Sequence, residues 1–226
     1  MTTRCWSQVR RAGCVTLVMV PLMAALLWCW ACATFPAHTI AHWPVSPQVL
    51  DVHGTLLRQA LADNDTRCHP VALRNMGTWT ARALIAAEDR RFYAHHGVDV
   101  WAVARASLLN ARLGRVASGG STISMQLMRM AVPRRRTLRA KITEALHALV
   151  LETRYNKARI LELHLNRAAF GGNLIGIEAA SRHYFGKAAQ DLSLGESALL
   201  VGVLQAPSRL RPDRHLARAL ARREYV

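Results

Sequence analysis

The stretch Glu88-Asp89-Arg90-Arg91-Phe92-Tyr93-Ala94-His95-His96-Gly97 closes a segment with helical periodicity. At about 100° per residue, Ala81, Leu84, Ile85 and Phe92 share one face, and Glu88 falls in the middle of it. Asp89 lies at the edge of that face and Arg90 points away. A carboxylate centred on an apolar stripe costs free energy unless it is paired or lines a cleft. Two readings follow. Glu88 is a general base at the rim of a site, or it is a structural carboxylate paired with an arginine such as Arg91 or Arg105. The residues alone leave both open.

Further along, Ser118-Gly119-Gly120-Ser121-Thr122 precedes a predicted helix. Small residues at a helix N-terminus can present backbone N–H groups to an anion. The spacing is not that of a P-loop, and a plain flexible loop is the alternative. Between Arg129 and Lys141 lie Arg129, Arg134, Arg135, Arg136, Arg139 and Lys141, with no acid among them. Most stand before or within the first turns of a helix predicted over Thr137–Arg154, where cations oppose the helix dipole. Converging cations and free N–H groups suit a diphosphate. A solvated basic face, or a patch on anionic lipid, is the competing reading. Lys141 and Glu144 are three apart, opposite Leu138, Ile142, Leu146 and Leu149.

The whole chain has the same bias. Its 226 residues carry a formal net charge of +16, and 51% are apolar. That apolar share excludes a disordered chain, and 13 Gly and 8 Pro without a period exclude a collagen-like one. A folded basic protein meets nucleic acid, a membrane surface or a phosphorylated substrate. The only lysines are Lys141, Lys157 and Lys187, and an arginine excess favours bidentate phosphate contacts. The cysteines are Cys5, Cys14, Cys29, Cys32 and Cys68. Cys29 and Cys32 lie in an apolar run with no partner pair, so zinc is not expected. Histidines with metal-ligand spacing, a G-x-S-x-G elbow and a Ser-x-x-Lys pair are all missing, which leaves serine acylation without a candidate.

Residues 1–11 form a short basic tail with Arg4, Arg10 and Arg11. From Ala12 to Ala33 there is no charge, a run of 22 residues that would cross a hydrocarbon core of roughly 30 Å. Basic residues before it place the N-terminus in the cytoplasm. Residues 12–34 are therefore expected to be a retained transmembrane anchor, with a cleaved signal as the alternative and a lipoprotein as the third reading, which Cys29 at the lipobox position of Cys32 disfavours. Residues 35–47, with Pro36, Pro44 and Pro47, are a linker. Val49 to Leu57 predicts a small β-hairpin turning near Gly54, and Asp63 to Pro70 a polar loop. Helices are predicted over Trp79–Arg91, Asp99–Leu113, Ser121–Met130, Thr137–Arg154, Lys157–Asn166, Leu174–Tyr184 and Ser193–Leu204. Ser193 and Glu196 have capping-box spacing. One mainly α domain, residues 48–226, is expected behind the anchor.

Taken together these motifs resemble the peptidoglycan glycosyltransferases of family 51. Residues 88–97 resemble the E-D-x-x-F-x-x-H-x-G signature. Gly120-Ser121-Thr122-Ile123-Ser124-Met125-Gln126 resembles G-S-T-x-x-Q-Q, and Lys141-Ile142-Thr143-Glu144 resembles R-K-x-x-E. Lys157 to Asn166 with Phe170-Gly171 resembles the fourth motif, and Tyr184-Phe185-Gly186-Lys187, Glu196 and Gln205-Ala206-Pro207 the C-terminal stretch. The GGSTISMQ form and the QAPSRLRPD ending look most like the 1C type of penicillin-binding protein. Two positions depart from the pattern: Met125 replaces a Gln, and Ala140 an Arg. A bifunctional member continues into a transpeptidase. A chain ending at Val226 is expected to be a truncated relative, a fragment or a monofunctional product.

The resemblance implies a lysozyme-like, mainly α glycosyltransferase fold with a small N-terminal β-hairpin behind one transmembrane helix. It implies polymerisation of lipid II into glycan strands with loss of undecaprenyl diphosphate. Glu88 would be the general base and Glu144 would orient a cation or the donor sugar. Arg129, Arg136 and Lys141 would meet the diphosphate, and Arg91, Ser121, Thr122 and Gln126 would hold substrate. No cofactor is required, although a divalent cation, Mg or Mn, is compatible with the diphosphate. The implied partners are lipid II, the growing glycan strand, the bacterial inner membrane and other cell-wall synthesis proteins. The catalytic domain would be periplasmic, and nucleic acid drops out. A lysozyme-like hydrolase using Glu88 and Glu144 as its two carboxylates, and an inactive membrane-anchored scaffold, are the rival readings.

Overall fold

The computed structural model describes residues 19–42, 44–53, 56–62, 64–115, 119–135 and 137–226. They divide into two units, residues 1–35 and 36–226. In the first unit residues 19–33 are helical (α1), with Met19, Val20, Met23 and Leu26 exposed. Residues 12–18 of the expected anchor lie outside the described residues. Among the described residues no helix is long and apolar enough to cross a membrane.

The second unit opens with a short helix, α2 (Ala37–Ala41), and an antiparallel pair, β1 (Gln48–Leu50) and β2 (Leu56–Gln59). Gln48 faces Gln59 and Val49 faces Arg58, in the position expected for the hairpin. Gly54, the expected turn, lies outside the described residues. A second small sheet was not expected. Arg67–Cys68 (β3), within the predicted polar loop, pairs in parallel with Leu174–Ile175 (β4), within a predicted helix. Glycines explain the correction. Gly171, Gly172 and Gly176 take φ of 102°, 59° and 88°, left-handed backbone that interrupts a helix on both sides of β4.

The rest is helical: α3 (Thr78–Glu88), α4 (Val100–Leu113), α5 (Ile123–Ala131), α6 (Leu138–Arg154), α7 (Lys157–Arg167), α8 (Ile177–Phe185), α9 (Leu194–Val203) and α10 (Pro212–Arg223). Side chains start most of them. Asp99, Thr122, Thr137 and Asn156 each accept a backbone N–H of the following turn. Ser193 and Glu196 form the expected capping box on α9. α10 carried no prediction; its Pro212 stands in the first turn.

α3 packs on α9, with Thr80 and Ser197 hydroxyls 3.2 Å apart in the buried seam, and α10 packs on the same helix. α5 lies against both α6 and α7. Leu84, Phe92, Ile123, Leu127, Leu151, Ile160, Leu163 and Phe170 are buried between these elements. This arrangement brings the C-terminal end of α3 to the N-terminal end of α5.

Candidate active site

α3 ends at Glu88, three residues short of the predicted Arg91, because Asp89 leaves the helix with φ −156°. Its carboxylate accepts His95 Nε2 at 3.0 and 3.1 Å and the backbone N–H of Ile123 at 3.1 Å. Ile123 is the first residue of α5, so the buried carboxylate sits where that helix's dipole favours it. His95 in turn offers its carbonyl to Lys157 Nζ at 2.7 Å, and Lys157 pairs with Glu152 at 2.7 Å and covers the Phe92 ring. Gly97 closes the segment. Its φ is 93°, a Cβ there would stand 2.5 Å from Ala148 O, and its carbonyl accepts Thr122 Oγ1 at 2.6 Å. Asp89, Phe92, His95 and Gly97 therefore form a clamp joining α3, α5, α6 and α7, and Glu88 is what the clamp holds out.

Glu88 is half-buried. Its Oε2 accepts Gln126 Nε2 at 2.8 Å, and Gln126 Oε1 lies 3.1 Å from Nε2 of the buried His164. Burial pushes the His164 imidazole down to about 4, so it is neutral near pH 7. Glu88 opens into a cavity of about 400 Å³ walled by Arg90, Arg91, Arg105 and the loop Gly119–Thr122. Gly120 lets that loop press on α4, since a Cβ there would meet Val103 Cα at 2.7 Å. Arg91 Nη1 lies 3.7 Å from Asp99 at the start of α4.

Ser121 lines this cavity and a second one of about 590 Å³, lined also by Arg129, Thr137, Leu138, Ala140, Lys141 and Glu144. Arg129 reaches Glu144 through Nε (3.3 Å to both oxygens) and Nη2 (3.1 Å), and Nη2 lies 3.4 Å from Ser121 Oγ. Lys141 is exposed and has no salt-bridge partner among the described residues. Arg134, Arg135 and Arg139 line a smaller cavity of about 260 Å³ that adjoins the second through Thr137 and Ala140. Glu88 and the Arg129–Glu144 pair thus face two chambers that share Ser121.

Of the expected site residues, Glu88, Arg91, Ser121 and Thr122 line the first chamber, and Ser121, Arg129, Lys141 and Glu144 the second. Gln126 is engaged by Glu88 and His164. The Thr122 hydroxyl caps α5 and bonds Gly97 O, leaving it no free hydrogen for a ligand. Arg136 lies outside the described residues. Among the described residues no group of three or more His, Cys, Asp or Glu is placed to hold a metal. Sequence reasoning missed His164, whose signal is a polar residue between the buried Leu163 and Leu165. It also missed how completely Asp89 and His95 serve the clamp.

The chain is 42% identical to penicillin-binding protein 1C of Escherichia coli over 217 residues, covering 96% of this chain and 28% of that protein. It is 46% identical to penicillin-binding protein 1A of Aquifex aeolicus over 145 residues (64% and 20%). It is 40% identical to penicillin-binding protein 1B of Haemophilus influenzae over 176 residues (76% and 22%). The chain therefore spans less than a third of the length of these curated relatives. A crystal structure of penicillin-binding protein 1A from Haemophilus influenzae matches with a TM-score of 0.42 at 22% identity, covering 80% of this chain and 17% of that one. The transglycosylase family model matches residues 53–226, which takes in both chambers and the clamp between them, and the chain belongs to that family.

Proposed function

We propose that this chain is a peptidoglycan glycosyltransferase that polymerises lipid II. The single observation that carries the reading is the pair of chambers sharing Ser121, one presenting Glu88 beside Arg90, Arg91 and Arg105, the other presenting Lys141 and the Arg129–Glu144 pair. The acceptor's sugar 4-hydroxyl would lie against Glu88. Its oxygen bonds the donor's anomeric carbon as the bond from that carbon to the diphosphate oxygen breaks, with inversion. The hydroxyl proton passes to the Glu88 carboxylate. The leaving undecaprenyl diphosphate carries its charge to Arg129 and Lys141, with Arg136 as a further cation. Glu144 holds the Arg129 guanidinium in place for that contact. Ser121 and the Gly119–Thr122 backbone position the sugars between the chambers, and Arg91 steadies the acceptor side.

The reading needs no cofactor. A divalent cation, if used, would bind the substrate's diphosphate oxygens, because the one carboxylate beside the cations is engaged by Arg129. The uncharged run of residues 12–33 and the arginines before it support a single membrane anchor with the N-terminus cytoplasmic and the catalytic unit on the far side, the periplasmic face of a bacterial inner membrane on this reading. A lysozyme-like hydrolase is less well supported. Its second carboxylate, Glu144, is ion-paired, and a neutral glycan has no use for a chamber of cations.

The full chain in detergent, given lipid II, is expected to produce glycan polymer. Glu88→Gln should lower the rate by about 10²–10⁴-fold, the usual contribution of a general base, with folding unchanged. Finished glycan strands offered in parallel should stay intact. Their shortening without polymer from lipid II, or full polymerisation by Glu88→Gln, overturns the assignment.

A further inference from the structure

The contact between Glu88 and Gln126 fixes more than a distance. A carboxylate only accepts hydrogen bonds, so the Gln126 amide must turn its NH₂ toward Glu88 Oε2, 2.8 Å away. Its carbonyl oxygen then faces His164 Nε2 at 3.1 Å, and that nitrogen must carry the hydrogen. His164 Nδ1 is buried without a partner among the described residues. That fits a bare lone pair, since a buried N–H with no acceptor is the rarer and costlier defect. The opposite tautomer would leave Nδ1–H unsatisfied. It would also draw the amide NH₂ to His164 and set the Gln126 carbonyl against the Glu88 carboxylate, acceptor against acceptor. One arrangement satisfies all three groups. The imidazole is held neutral by burial alone, so it stays a single-proton donor across the neutral range.

We propose that His164 is a positioning residue for Glu88: through Nε2–H it locks the Gln126 amide, and the amide holds Oε2 so that Oε1 faces the chamber to take the acceptor's proton. Glu88 Oε1 has no hydrogen-bond partner among the described residues. The role of Gln126 is then to aim the base rather than to touch substrate. The inference rests on the polymerase reading above and deepens it. It commits α7, far from the chamber in sequence, to the rate of the chemical step.

The test uses the full chain in detergent with lipid II and the variants His164→Leu, His164→Gln, Gln126→Leu and the double variant. His164→Leu removes the donor and is expected to lower kcat about tenfold with KM within about twofold, the size expected for one lost orienting hydrogen bond. His164→Gln places an amide N–H at similar reach and should restore most of that loss. In the Gln126→Leu background, adding His164→Leu should change kcat by less than about twofold, because both act through the same carboxylate oxygen. A merely structural histidine would not give this rescue and coupling. Nitrogen-15 NMR of the histidine rings at pH 7 supplies a second measurement on the wild-type chain, with protonation expected at Nε2 of His164 only. If His164→Leu does not fold, His164→Gln, Gln126→Leu and the tautomer decide. Full kcat in His164→Leu, independent effects in the double variant, or a proton on Nδ1 each overturn the proposal. Polymerisation that Glu88→Gln abolishes and His164→Leu leaves untouched removes only the positioning role. A wild-type chain that makes no polymer removes the polymerase reading and this role with it.

Discussion

Acidifying the protein from pH 7 to pH 4 tests the burial of His164 directly. The imidazole is 2% exposed, and burial lowers its pKa from 6.5 to about 4. Between those values the unfolded chain binds a proton that the folded chain refuses, so stability must fall as pH falls. The slope is about 1.4 kcal/mol per pH unit, and across the window the total comes to about 3 kcal/mol. Above pH 6.5 both states are neutral at this site, and below about pH 4 both are charged, so the loss is confined to that interval. His69 and His147 are also shifted downward by burial and add to the same trend. The comparison that isolates His164 is therefore wild type against His164→Gln, which keeps an N–H donor and does not titrate. Denaturant unfolding of the full chain in detergent, at half-unit steps from pH 7 to pH 4, gives the two curves. The wild-type curve should fall more steeply by about 3 kcal/mol in total. Parallel curves would refute the neutral, buried imidazole and with it the direction of the hydrogen bonds to Glu88.

Three further outcomes follow from the clamp and the helix caps. Gly97→Ala should destabilise by about 2–4 kcal/mol, through left-handed backbone and a Cβ driven to 2.5 Å from Ala148 O, seen as a lowered thermal midpoint. Asp89→Ala leaves the Ile123 N–H and His95 without their acceptor and should cost about 2–3 kcal/mol; in surviving folded protein, polymerisation falls because α5 no longer fixes Gln126 against Glu88. Glu196, which bonds Lys187 and Ser193, is held down to about 2. Its contribution is present above pH 4.5 and lost as pH falls toward 2, so Glu196→Gln should flatten acid unfolding only in that lower range.

The helices were legible wherever periodicity and a capping residue agreed, as at Asp99, Thr122, Thr137 and Ser193. They were misplaced where a tertiary contact overrode periodicity. The end of α3 is set by Asp89 reaching Ile123, a partner 34 residues away that no local pattern reveals. β3 and β4 escaped notice because two-residue strands carry no alternation to read, and their pairing joins segments more than 100 residues apart. At the site, residue type and spacing drew attention to Glu88 and to the basic cluster. Spacing could not separate Arg129, which lines the second chamber itself, from Arg134 and Arg139, which line a smaller cavity adjoining it at Thr137 and Ala140. Helical phase and the turn before α6 make that division.

The two departures from the family pattern have different physical weight once they are placed. Met125 is 2% exposed, packed in the interior of α5, and lines neither chamber. A polar amide there would need buried partners, whereas the flexible thioether fills the space. The change is thus one of core packing. Ala140 is also mostly buried, at 8% exposed, but it lines the second chamber between Lys141 and Thr137, where the pattern has an arginine. Its methyl group supplies no charge, and it also lines the adjoining cavity that holds Arg134, Arg135 and Arg139. Among the described residues the cations lining the second chamber itself are Arg129, which Glu144 braces, and the exposed Lys141. A braced guanidinium can meet two phosphate oxygens at once, while an exposed ammonium gives a screened point charge. On the proposed reading Arg129 is therefore the better oriented of these two cations for a diphosphate, and Glu144 would matter through the orientation it imposes on that one side chain.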